Sequence, residues 1–165
     1  MYDIGLLLGM LLQARCENVQ AGMFGDRWQI VPMPSTGILA NVDAFYSREG
    51  EVGYSTNGYL VIKDLVSKRY KADKIMLFTD TQLWDSNTKN QSAENTISYQ
   101  WQAYKKIAPN AKLYIFDLAG HKHVPLKVEQ NGVHLIAGWS DKVFEVMDAL
   151  ENGSNAIDVI KKIAL

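Results

Sequence analysis

With one cysteine in 165 residues, Cys16, the chain has no partner for an intrachain disulfide and too few thiolates for a cysteine-rich zinc site. A reducing, cytoplasmic setting is the simplest one for such a chain, and a cytoplasmic location is expected. Neither sign of charge dominates. Seventeen Lys and Arg stand against eighteen Asp and Glu, a formal net charge of −1, which excludes a chain-wide attraction for nucleic acid. Basic residues cluster at Lys68, Arg69, Lys71 and Lys74, at Lys105 and Lys106, and at Lys161 and Lys162, and these read as helix ends and solvated faces. No apolar run reaches the ~20 residues that cross a bilayer. The longest candidate, "IGLLLGMLL" near the start, follows Asp3 with no Lys or Arg before it and no small-residue cleavage site after it, so it is not an export signal. Arg15 also argues against a lipoprotein reading of Cys16. A soluble chain is expected, with Gly5 and Gly9 as close-packing points in a buried helix.

Catalytic signatures are scarce too. There is no glycine-rich phosphate loop, no Gly-x-Ser-x-Gly elbow and no cysteine with helix-initiating surroundings. The stretch "IMLFTDTQ" invites comparison with haloacid dehalogenase phosphatases, whose nucleophilic Asp is followed two residues on by a second Asp. Here Gln82 stands in that place, so the chemistry lacks its acid/base group. A non-enzyme is expected.

What is present is a regular alternation of elements. Residues 2–17 read as a helix that is apolar nearly all round, hence buried on most sides. "QAGMF" (20–24) and "WQIVPM" (28–33) read as strands of an antiparallel hairpin, turned at Gly25-Asp26-Arg27 and closed by Pro32 and Pro34. A short helix is expected over 37–46, a glycine-bearing loop over 48–59 and a helix over 57–69. A strand over 74–79 leads into a polar loop, 81–96, and a helix over 97–107 that ends before Pro109. Strands at 111–119 and 133–139, then helices at 141–150 and 155–164, complete the chain. Near-continuous apolar strands alternating with helices specify an α/β fold: a three-layer, doubly wound, mostly parallel sheet in one domain spanning 1–165. In such sheets functional groups gather at the carboxyl ends of the strands, and "DKIMLFTDTQLWDS" places Asp80 at such an end. An ionised Asp there is costly in a core and useful at a crevice, where it binds a cation. The first helix has no strand before it, although a β-α unit would supply one, and a piece of the sheet is read as missing.

Three stretches, "GMFGDRWQIV" with "FYSREGEVGYSTNGY", "DKIMLFTDTQLWDS" and "GVHLIAGWSDKVFEVMDAL", together resemble the von Willebrand factor A (vWA) domain of the Ro (TROVE) ribonucleoprotein family, and the likeness covers essentially the whole chain. The resemblance implies a metal-ion-dependent adhesion site, usually for magnesium, made by an Asp-x-Ser-x-Ser loop after the first strand, a Thr in a second loop and an Asp in a third. Thr56 in "GYSTNGY" matches the second-loop Thr, and Asp80 in "LFTD" matches the third-loop Asp. The first strand and its Asp-x-Ser-x-Ser loop have no counterpart, so the resemblance implies an N-terminally truncated vWA-like domain. Magnesium needs several oxygens in octahedral array, and Thr56 with Asp80 supplies two, so weak or no binding of Mg2+ or another divalent cation is expected from this chain alone. By the same resemblance, the partner is a protein docking on the metal-site face, selected by the loops at 48–57 and 81–90. Small structured RNA is expected only through the family's helical-repeat region, which this sequence does not contain.

Each of these residues has a plainer reading. Asp80 as a strand-end carboxylate capping a turn yields to the metal role. Thr56 is equally an N-cap of the following helix; Ser55 and Asn57 are its neighbours. His121 and His123 alternate in "HKH" and so point the same way. With Asp80 and Asp117 they compose the alternative of a small metallohydrolase, against which an exposed loop is the preferred reading. His134, inside an apolar strand, reads as a core histidine. Trp84, Trp101 and Trp139 read as core or interface, having no basic neighbours to make them base-stacking platforms.

Overall fold

In the computed structural model, which describes residues 2–34, 36–79, 92–119, 131–138, 145 and 147–149, the all-round apolar segment forms a helix, α1 (Tyr2–Arg15). It buries Leu6, Leu8 and Met10. Its other apolar residues are half-buried apart from the exposed Ala14, less enclosed than the sequence predicts. Strands β1 (Gly22–Phe24) and β2 (Trp28–Ile30) pair antiparallel with Gly22 opposite Ile30 and Phe24 opposite Trp28. The predicted hairpin is there, but its second strand is shorter than expected. Val31 N–H still donates to Ala21 O at 2.9 Å, and Pro32 then has no N–H with which to continue.

Helix α2 (Ile38–Tyr46) starts from Gly37, whose φ of 63° favours glycine. After a loop comes α3 (Tyr59–Lys68), then β3 (Lys74–Thr79). A 3₁₀ turn at Ala93–Asn95 occupies the end of the predicted polar loop, residues 81–91 of which lie outside the described residues. Helix α4 (Ile97–Lys105) begins where the Thr96 hydroxyl accepts a hydrogen bond from Tyr99 N–H at 3.2 Å, which satisfies one of the orphan donors of the first turn. It ends two residues early because Ile107 and Ala108 N–H both donate to Tyr104 O, tightening the chain ahead of Pro109. Strands β4 (Lys112–Asp117) and β5 (Val133–Ala137) follow, and residues 145 and 147–149 are helical. The helix predicted over 155–164 lies outside the described residues.

β3, β4 and β5 form a parallel sheet in that order. In β4, Leu113 through Asp117 are all buried, the mark of a strand covered on both faces. On one face Val61 and Ile62 of α3 and Ile97, Trp101 and Tyr104 of α4 pack on Ile75, Leu77, Leu113, Ile115 and Val133. On the other, Leu8 of α1 and Met147 pack on Tyr114, Phe116 and Leu118. The molecule is thus a mixed α/β, Rossmann- and vWA-like arrangement with helices on both faces of a parallel sheet. Opposite sides of α1 serve two cores, since Leu6 joins Met23, Val31 and Val52 in a third cluster under the hairpin. The strands at 22–24 and 74–79 do not pair with each other. Among the described residues the hairpin is a sheet of its own and β3 is the edge of the other.

Candidate functional site at the carboxyl rim of the sheet

Parallel pairing brings the ends of the strands to one rim. Thr79 of β3 stands opposite Asp117 of β4, which stands opposite Ala137 of β5. Thr79 and Asp117 are both buried, and the Asp117 carboxylate accepts a hydrogen bond from Ala119 N–H at 3.2 Å, turning the chain at the strand end. Because α3 returns to β3 through only residues 69–73, the start of α3 lies at this same rim, and Thr56 just ahead of it. The residue at the cap position of α3 is Gly58, so Thr56 stands two residues ahead of the cap position that the plainer reading gives it. Thr56 is half-buried, and its carbonyl accepts from Gly58 N–H at 2.9 Å.

The loop carrying Thr56 is fastened to the hairpin tip. Val52 O accepts from both Asp26 N–H (2.8 Å) and Arg27 N–H (3.2 Å). Glu51 binds Arg48 through two hydrogen bonds, 2.6 Å from Nε and 2.8 Å from Nη2, and accepts from Gln29 Nε2 at 3.1 Å. Its own carbonyl accepts from the Arg27 guanidinium. The Arg48 hydrogen bond holds the Glu51 carboxyl below the usual carboxylate range, and Glu51 in return raises the Arg48 pKa. Beyond this clasp the Ser55 hydroxyl donates to Asp26 Oδ1. Gly53, with φ of 85°, lies so close that a Cβ there would overlap the Asp26 carboxylate.

The rim therefore carries a carboxylate and a hydroxyl, Asp26 and Ser55, one residue along from Thr56. Reading the sequence assigned Asp26 only to a turn. Gly50 and Gly53 marked a tightly turned loop, but nothing in their pattern named the hairpin as its partner. Asp80, next after Thr79, lies outside the described residues, as do His121, His123, Trp84 and Trp139. Asp117, the remaining member of the metallohydrolase alternative, is engaged with the backbone of Ala119. Among the described residues no group of three or more His, Cys, Asp or Glu is placed to hold a metal ion. His134 is half-buried and stacked on Tyr114, ring centroids 5.0 Å apart. Trp101 is buried and donates from Nε1 to Asn131 O at 3.1 Å, so its ring is not offered to a base. No described helix is long and apolar enough to cross a membrane.

No family model matches the sequence, and no curated protein matches it. The class is set by the fold: an α/β domain of the vWA-like kind, built on a parallel sheet with helices on both faces. Among solved structures, the chain is similar to the crystal structure of the Deinococcus radiodurans Ro (RSR) protein, with a TM-score of 0.70 at 11% sequence identity. The match covers 93% of this chain and 29% of that one. At that identity the likeness is one of fold.

Proposed function

We propose that this chain is a non-catalytic interaction module of the Ro type, acting in the cytoplasm, in which Thr56 and Asp80 hold a divalent cation, magnesium by preference, at the rim of the sheet. The observation that carries the reading is the overlap of nearly the whole chain with a Ro protein, together with the position of Thr56 at the rim where β3 ends at Thr79, the residue before Asp80 in sequence. The donors suit a hard ion. A threonine hydroxyl and a carboxylate supply oxygen only, and Asp26 and Ser55 add a second carboxylate and hydroxyl in the same loop cluster, a set matched to magnesium and not to a soft metal.

When bound, the cation would supply a Lewis-acidic point at the protein surface, to which an acidic side chain of a protein partner adds the next oxygen. The chain's own part is to position. The Glu51 clasp keeps the Thr56 loop against the hairpin, and β3 ends at the buried Thr79. Small structured RNA would be engaged only through a helical-repeat region outside this sequence, consistent with a net charge of −1.

Magnesium titration of the full chain, followed by amide NMR, tests the reading. Saturable shifts at Thr56 that vanish in Asp80→Ala and in Thr56→Ala, with no hydrolytic turnover, are expected. Shifts that survive Asp80→Ala, or tight zinc binding that is lost in His121→Ala and accompanied by hydrolysis, would overturn it.

A further inference from the structure

Among the described residues, strand β3 has one edge paired with β4 and one that is open. Asp73 O accepts from Lys112 N–H at 2.9 Å, and Thr79 O accepts from Leu118 N–H at 2.8 Å. With Lys74 to Thr79 in register with Lys112 to Asp117, the odd-numbered residues face β4. The alternation of a parallel ladder then turns the N–H and C=O groups of Met76 and Phe78 outward. Among the described residues no strand lies on that side, and no backbone bond from elsewhere reaches those groups.

This edge is unlike a protected one. Natural edge strands are blunted by charge, proline, a bulge or shortness. β3 is six residues long; its one charge is the exposed Lys74 at its start, and from Ile75 to Thr79 it has no charge and no proline. The side chains that alternate with those of the edge residues are dry, Ile75, Leu77 and Thr79 being 5%, 2% and 8% exposed, and Met76 and Phe78 themselves are half-buried. One face is covered by α3 through Val61 and Ile62, and the other by α1, where a methyl on Gly5 would lie 3.7 Å from the Phe78 Cβ. The same two layers continue past the edge to the hairpin. α1 reaches it through Leu6 on Met23 and Val31, and Phe24 and Trp28 pack against the cluster that α3 covers, with Trp28 Nε1 donating to Asp64 of α3 at 3.2 Å. Hairpin and β3 are thus bridged above and below by the same helices without pairing.

We propose that the open edge of β3 accepts a single added β-strand from another polypeptide, an extended and uncharged segment about as long as β3 and apolar on both faces. The outward amides of Met76 and Phe78 demand a strand, α1 and α3 demand apolar side chains on its two faces, and beyond Lys74 the edge offers no counterpart for a charged one. An edge recessed between two helices admits one extended segment, not the equally recessed edge of a second folded copy. The inference is independent of the cation site, since Met76 and Phe78 read it out and Thr56 does not.

Hydrogen exchange on the full chain tests it, with an acetylated, amidated peptide of six alternating Val and Ile residues between two lysines as the probe. Without peptide, the Met76 and Phe78 amides should exchange much faster than those of Ile75 and Leu77. Added peptide should slow them roughly tenfold or more. Met76→Pro removes one outward N–H and spares the β4-facing bonds, and it should abolish the effect at Phe78. The same peptide N-methylated at alternate residues, which keeps its side chains and loses its ladder, should protect nothing. Met76 and Phe78 amides already as slow as Leu77 in the chain alone would overturn the proposal. So would failure of the unmethylated peptide to slow them, or equal protection by the methylated one.

Discussion

Glu51 is the residue on which the rim loop depends, because it joins Arg48, Gln29 and Arg27 through one side chain and one carbonyl. Its carboxyl is held low, first by the Arg48 hydrogen bond, so its contribution is complete above the ordinary glutamate pKa and fades as pH falls through the depressed folded value. Glu51→Gln should therefore speed amide exchange across residues 48–56 near neutral pH, and the difference from the parent chain should close on acidification. A difference that stayed constant with pH would show that the charge of Glu51 has no part in holding the loop. Tyr104 plays a comparable role inside the core. Its buried hydroxyl accepts from Ala72 N–H at 2.7 Å and donates to Ala72 O at 3.3 Å, which ties α4 to the connection between α3 and β3. Burial raises its pKa above that of an exposed tyrosine.

Among the elements, α1 departs most from its sequence reading. The sequence marks Gly5 and Gly9 alike as points of close approach, and the structure separates them. A Cβ on Gly5 meets Phe78 and Leu118 at ordinary contact distance, whereas one on Gly9 would be 3.1 Å from Met33 Sδ. Gly5→Ala should stabilise the chain by about 0.5–1 kcal/mol through helix propensity alone. Gly9→Ala should gain less or lose, since Met33 must yield. Denaturant midpoints of the two variants measure the contrast, and equal shifts would contradict this packing. Elsewhere the sequence placed elements well where period and punctuation agreed: β3 matches its predicted 74–79, and α2 and α4 start within a residue of expectation. Boundaries moved where a backbone bond decided them, as at Pro32, Gly58 and Tyr104.

At the scale of the whole molecule, β4 is the shared wall between two helical layers. Ile115 faces α3 and α4 and Phe116 faces α1, each about 1% exposed. If both layers fold as one unit on this strand, Ile115→Ala should cost about 2–5 kcal/mol and Phe116→Ala about 3–5 kcal/mol, each lowering the same cooperative transition. Two separate transitions, one per variant, would instead mean that the α1 layer and the α3–α4 layer melt independently.

Period and composition alone determined the α/β class, the antiparallel hairpin and the strand that ends at residue 79, because apolar patterning and turn residues act over a few neighbours. The vWA-like resemblance was likewise legible in short local stretches, and it singled out Thr56. Only the tertiary structure decided that Asp26 meets Ser55, that Glu51 clasps the loop to the hairpin, and that among the described residues β3 ends its sheet with the Met76 and Phe78 amides turned outward. Those contacts join segments roughly 20–30 residues apart in sequence, as with Ser55 and Asp26, and their partners are chosen by how helices and strands pack, which no local pattern specifies.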